Sequence, residues 1–161
     1  MKKHIITALV ENQPGVLARV VGLISGRGYN IETLNVGPTN DPTVSRMTMQ
    51  VPGDNRVLEQ VTRQLGKLVD VIDVTDLTSA PCVNQECLLV KLAATHAQHA
   101  AIAALTERFG GRVLASQTDA MIVQLTGDSK QIVDFIDLLA PFRMLDISRS
   151  GIIAIARGGR P

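Results

Sequence analysis

The dipeptide Gly-Asp stands at residues 53–54 and again at 127–128, each time just ahead of a segment whose apolar residues recur at helical spacing. A strand-like apolar run interrupted by one aspartate follows in both places, Val71-Ile72-Asp73-Val74 after the first and Met144-Leu145-Asp146-Ile147 after the second. A chain that repeats its own order of elements is constrained to build one small unit twice. Its 161 residues are enough for two such units and little else.

The first copy reads strand, helix, strand, strand, helix, strand. His4 to Val10 is a short strand ended by the turn Glu11-Asn12-Gln13-Pro14-Gly15. Val16, Leu17, Val20, Val21 and Ile24 then form one helical stripe. Pro14 is expected at the first helical position, where a missing N–H costs nothing. Tyr29 to Val36 is the second strand. From Val44 to Val51 the apolar residues Met47, Met49 and Val51 alternate with Arg46, Thr48 and Gln50, which predicts a strand buried on one face and wetted on the other. Asp54 is placed to cap a helix carrying Val57, Leu58, Val61, Leu65 and Leu68, and Val69 to Leu77 closes the unit. This βαββαβ order is that of a ferredoxin-like sandwich, an α+β fold with both helices on one face of the sheet.

After the breaker Thr78-Ser79-Ala80-Pro81 the order returns. Cys87 to Leu92 is a strand, Thr95 caps a helix with Ile102, Leu105 and Phe109, and residues 112–116 and 121–125 form a hairpin. Ile132, Phe135, Ile136 and Leu139 mark the last helix, and Met144 to Ile147 the last strand. Two ferredoxin-like domains in tandem are expected, residues 1–77 and 86–161, with a linker over 78–85.

Composition removes several functions. Net charge is +1, aromatic residues make up 2%, and tryptophan is absent, so neither a basic nucleic-acid surface nor a base-stacking platform is expected. No apolar run approaches the ~20 residues of a membrane span. Met1-Lys2-Lys3-His4 leads straight into a strand pattern without a secretory h-region, which makes the cytoplasm the expected location. Catalytic signatures are missing too: the chain has no phosphate-binding loop, nucleophile elbow or zinc-protease motif. His96 and His99 with Cys82 and Cys87 suggest a metal site only weakly, because the histidines sit at a polar helix start and the cysteine spacing matches no zinc pattern. No catalytic residue and no metal are assigned.

The turn before the first helix carries the one promising constellation. A helix N-terminus presents free N–H groups and about half a positive charge, which suits a carboxylate. Gly15 lets a ligand approach the backbone, and Asn30 offers an acceptor for an ammonium group. The competing reading is a capped helix and an ordinary turn. In this fold the second strand lies at a sheet edge, and pairing two such edges about a two-fold axis would bring Asn30 of one chain toward the Asn12–Gly15 loop of another.

These residues carry a resemblance. The segments NQPGVLARV, RGYNIETLNVGPT, SRMTMQV and QLGKLVDVIDV, then ECLLVKL and RSGIIAIARG, resemble in order the small, regulatory subunits of acetolactate synthase, whose first half is an ACT domain. The resemblance implies a homodimer that binds a catalytic large subunit, activates it, and confers feedback inhibition by valine in branched-chain amino acid biosynthesis. It implies no cofactor in this chain, with thiamine diphosphate, magnesium and FAD held by the large subunit. Carried over by motif, the effector contacts are Asn12, Gln13, Pro14, Gly15, Val16 and Leu17 of one chain with Asn30 and Ile31 of its partner. The alternative is a stand-alone ACT-type amino-acid sensor acting on another partner.

Overall fold

Lys2–Glu11 (β1) places Ile6, Ala8 and Val10 on one face and buries all three. Each contributes to a core completed by the helical stripe Val16, Val20 and Ile24, whose i, i+4, i+8 spacing sets them on one side of α1 (Val16–Ser25). In this computed structural model, which describes residues 2–158, β2 (Thr33–Pro38) and β3 (Val44–Gly53) follow as a hairpin. Then come α2 (Asn55–Leu65) and β4 (Val71–Asp76). The strands order as β2-β3-β1-β4, all neighbours antiparallel, so β2 is an edge strand. Met47, Met49 and Val51 of β3 meet Val61 and Leu65 of α2 in the core, and burying each such side chain is worth roughly 1.5–3 kcal/mol.

The second copy is built alike from β5 (Cys82–Ala93), α3 (His96–Arg108), β6 (Arg112–Ser116), β7 (Ala120–Gly127), α4 (Ser129–Leu138) and β8 (Met144–Ala156). Its sheet order β6-β7-β5-β8 matches the first element for element. Leu88, Val90 and Leu92 of β5 pack with Val123, Ile102, Ile132 and Phe135 in its own core. Two ferredoxin-like units in tandem are thus the architecture.

The repeated Gly-Asp has one physical reason in both copies. Asp54 caps α2 by accepting from the Val57 N–H at 3.0 Å, and Asp128 caps α4 by accepting from the Gln131 N–H at 2.8 Å. The glycine before each cap lies under the first helical turn. A Cβ on Gly53 would stand 2.7 Å from the Val57 side chain, and one on Gly127 would stand 2.8 Å from that of Gln131.

Several boundaries differ from expectation. α1 starts at Val16 with Gly15 as its cap, so Pro14 precedes the helix instead of opening it. β2 starts at Thr33, which leaves Asn30 and Ile31 in the loop ahead of it. β5 begins at Cys82, inside the 78–85 interval. β8 runs on to Ala156, and the chain divides into one compact unit of residues up to Asn84 with those from Gly151 on, and a second from Gln85 to Ser150. Within the first unit, Ile152 and Ala154 bury with Leu77 beside Ile5 and Cys82. Consequently the face expected to be wet is partly covered: Thr7 is 2% exposed and Thr48 3%.

Candidate functional site

The β1–α1 loop is held from both sides. The Asn12 N–H donates to the Thr43 carbonyl at 2.7 Å and its Nδ2 donates to the Pro42 carbonyl at 2.9 Å, tying the loop to the β2–β3 turn. Asn12 therefore braces the loop and caps no helix. Asp41 organises that turn, accepting from the Thr43 N–H and hydroxyl at 2.9 and 2.6 Å, and these bonds hold its carboxyl below the usual carboxylate range.

Gly15 has φ +86°, a left-handed conformation that turns the chain into α1. No side chain caps this helix. The Val16 N–H makes a long 3.4 Å contact to the Gln13 carbonyl, and the first regular helical bond is from Arg19 to Gly15 at 3.0 Å. The N–H groups of Gly15, Leu17 and Ala18 have no acceptor among the described residues. Three open donors at a helix start form a cradle for a carboxylate. Gln13, Pro14 and Leu17 are exposed around it, while Val16 is buried and anchors the turn in the core.

Arg19 was not among the expected site residues, yet it stands closest to Gly15. A Cβ on Gly15 would lie 3.1 Å from its Nη1. Its guanidinium forks onto Asp70, with Nε–Oδ2 at 2.7 Å and Nη2–Oδ1 at 2.8 Å, and locks the first turn of α1 to the start of β4. The hydrogen bond to Arg19 is the chief cause holding the Asp70 carboxyl below its ordinary range, and it raises the Arg19 pKa in return. The two residues are 51 positions apart, so only helical phase hinted that Arg19 follows Gly15 by one turn.

Asn30 and Ile31 lie elsewhere in the same chain. Glu32 donates to the Gln50 carbonyl at 2.9 Å, whereas Asn12 bonds to Thr43, so the two halves of the expected site sit at opposite ends of β3, about 23 Å apart at ~3.3 Å per residue. Asn30 is exposed and Ile31 packs against the core. One chain does not bring them together.

The other candidates are plain in structure. The His96 and His99 rings meet at a 55° tilt with their centroids 5.8 Å apart, Cys82 and Cys87 are free thiols, and no group of three potential metal ligands occurs among the described residues. No helix of the described residues is long and apolar enough to cross a membrane.

Comparison with known proteins bears on this arrangement. The AHAS small subunit-like ACT domain family matches residues 6–73, and the family described as small subunit of acetolactate synthase matches residues 85–158. The probable acetolactate synthase small subunit of Methanothermobacter thermautotrophicus is 46% identical over 158 residues, covering 98% of this chain and 94% of that protein. The chain belongs to the acetolactate synthase small-subunit family. The isozyme 3 small subunit of Escherichia coli is a 41% identical family member, with 98% of each chain covered. The crystal structure of the Thermotoga maritima small subunit superposes on 99% of this chain with a TM-score of 0.89 and 31% identity, and all of that chain is covered. The family's ACT domain is therefore the unit that contains Gly15, and its second family segment is the unit built on β5.

Proposed function

We propose that this chain is the regulatory subunit of an acetolactate synthase, working as a homodimer that activates a catalytic large subunit and transmits feedback inhibition by valine. The family supports the partner, and the cradle of open N–H groups at Gly15, Leu17 and Ala18 supports the ligand. Thiamine diphosphate, magnesium and FAD belong, on this reading, to the large subunit.

The free sheet edge supports the dimer. β2 ends the sheet with an unpaired row of backbone groups, and the apolar side chains open to solvent include Leu17, 45% exposed on α1, and Val36, 41% exposed on β2. A two-fold axis normal to the sheet and centred between Asn35 and Val36 pairs β2 with its own copy in antiparallel fashion. That operation sets Asn30 of one protomer level with Asp41 of the other, the turn to which Asn12 is tied. The 23 Å gap within one chain thus closes between two.

Valine in this seam places its carboxylate on the N–H cradle, its ammonium on Asn30 of the partner subunit, and its isopropyl group near Leu17. Burying that group supplies roughly 1.5–3 kcal/mol, and a coupling of about 1–3 kcal/mol between the two sites suffices for regulation. Leucine and isoleucine differ by one methylene, worth about 1–3 kcal/mol, and act more weakly or at higher concentration.

The deciding experiment adds this chain to purified large subunit with and without valine. Raised turnover that valine then suppresses supports the reading. Turnover unchanged by the chain refutes the activating role, and activation without any response to valine, leucine or isoleucine refutes the effector site.

A further inference from the structure

The sheet face turned away from the helices in the first unit holds a second set of groups. Strand register places Arg46 opposite Leu9 and Leu9 opposite Asp73, one row across β3, β1 and β4. The next row is Thr48, Thr7 and Thr75. Neighbouring residues on a strand point to opposite faces. Since Ala8, Val10, Met47 and Met49 fill the core under the helices, both rows stand on the far face.

Residues Gly151 to Gly158 come over this face, and a cavity of about 430 Å³ remains, lined by Arg46, Leu9, Asp73, Thr7, Thr75 and Ile155 among others. That size falls within the ~300–1,000 Å³ of small-molecule sites. Arg46 is partly buried, and its guanidinium makes no hydrogen bond or ion pair among the described residues. Asp73 accepts from the Thr75 hydroxyl at 2.9 Å and has no cationic partner there. Two strand spacings, about 9.6 Å, separate their backbones, with Leu9 as an apolar floor between. The guanidinium is left unpaired at the cavity, and its planar fork of donors suits a carboxylate.

We propose that this cavity binds one free α-amino acid with an apolar side chain, its carboxylate on Arg46, its ammonium on Asp73 and its side chain against Leu9, Leu77 and Ile155. Both charges are required. A simple carboxylic acid meets repulsion from Asp73, an amine meets repulsion from Arg46, and a zwitterion satisfies each. The site is complete within one chain and lies on the face opposite the helices. It therefore stands apart from the seam that joins Asn30 to the Gly15 loop.

The test is a ¹H–¹⁵N NMR titration of the full chain with valine, leucine, isoleucine and methionine in turn, each up to on the order of 10 mM, where millimolar binding is still visible. The expected result is saturable shifts at the amides of residues 7–9, 46 and 73–75 with at least one of them. Arg46→Met and Asp73→Asn should each weaken that response by about tenfold or more, as expected for loss of a charged hydrogen-bonding partner, while shifts at residues 13–18 stay as they are. Two ligand analogues need no variant: 4-methylpentanoate, which is leucine without its amine, and isoamylamine, which is leucine without its carboxylate, should bind at least about tenfold more weakly than leucine. Shifts confined to residues 13–18 overturn this proposal and leave the seam intact. So does a 4-methylpentanoate that binds as tightly as leucine, or a response that neither folded variant changes.

Discussion

Replacing Gly15 by aspartate tests the cradle most directly. The position has φ +86°, where an L-residue costs about 1–2 kcal/mol, at the low end for Asp and Asn. The added Cβ meets Arg19 Nη1 at 3.1 Å, the end of a flexible side chain that yields by a few tenths of an ångström. For a chain of this length a loss of 1 kcal/mol lowers Tm by about 2–4 °C, so the variant folds. The effect on ligand is larger. The new carboxylate stands beside the open N–H groups and the Arg19 guanidinium, and two carboxylates about 4 Å apart near a protein surface repel by at most about 4 kcal/mol, the cation offsetting part of it. That converts to a loss of valine affinity of up to roughly a thousandfold. Gly15→Asn carries the same shape and strain without the charge and separates the two causes. In a reconstituted assay, Gly15→Asp should activate the large subunit to within about twofold of the parent, yet need over a hundredfold more valine for half inhibition. Gly15→Asn should retain a measurable response. Normal inhibition of the aspartate variant, or equal damage from asparagine, refutes the carboxylate-on-amide reasoning.

Asn30→Ala should weaken valine by about 1–3 kcal/mol in calorimetry, the cost of leaving an ammonium unpaired in a closed seam, and unchanged affinity removes Asn30 from the contacts. Arg149→Ala strands the Glu86 carboxylate, which is 1% exposed and now held at 2.5 and 2.9 Å. Because Arg149 itself is 40% exposed, the expected cost in urea unfolding is about 2 kcal/mol, below the 3–5 of a fully buried pair. Asp70, bonded to Arg19, and Asp41, bonded to Thr43, both have carboxyls held low in the folded chain. The unfolded state, with its Asp near pKa 3.9, binds more protons in the acid range. Their stabilisation is therefore complete above about pH 5 and is lost as pH falls through the lowered folded values. The urea midpoint should drop on acidification toward pH 3, and Asp70→Asn should flatten that drop; equal slopes refute the assignment.

The candidate site was legible as far as it is local. A left-handed glycine ahead of Val16, with apolar residues continuing at helical spacing, marks the helix start, and the structure leaves the adjacent amides open there. Asn12 misleads a local reading, since its side chain bonds to Pro42 and not to the helix beside it. Arg19 was passed over because its partner Asp70 comes from the far end of the unit. Asn30 was expected on a strand, but the chain needs Tyr29 to Glu32 to descend from α1 before β2 can pair at Thr33.

What the residues determined alone was the order of elements and the face each buries. Period and capping act over a few positions, as in the alternation of Met47, Met49 and Val51 or the Gly-Asp pairs that cap α2 and α4. Only the tertiary structure decided what covers the second face of the first sheet. Residues from Gly151 to Gly158 return to the unit that the chain left at Asn84 and line one cavity with Arg46 and Asp73 on the face where Thr7 and Thr48 are buried. The physical reason is range: hydrophobic burial is non-directional, and Ile152 and Ala154 satisfy it against whichever apolar surface the fold brings near, here Leu77 and Ile5.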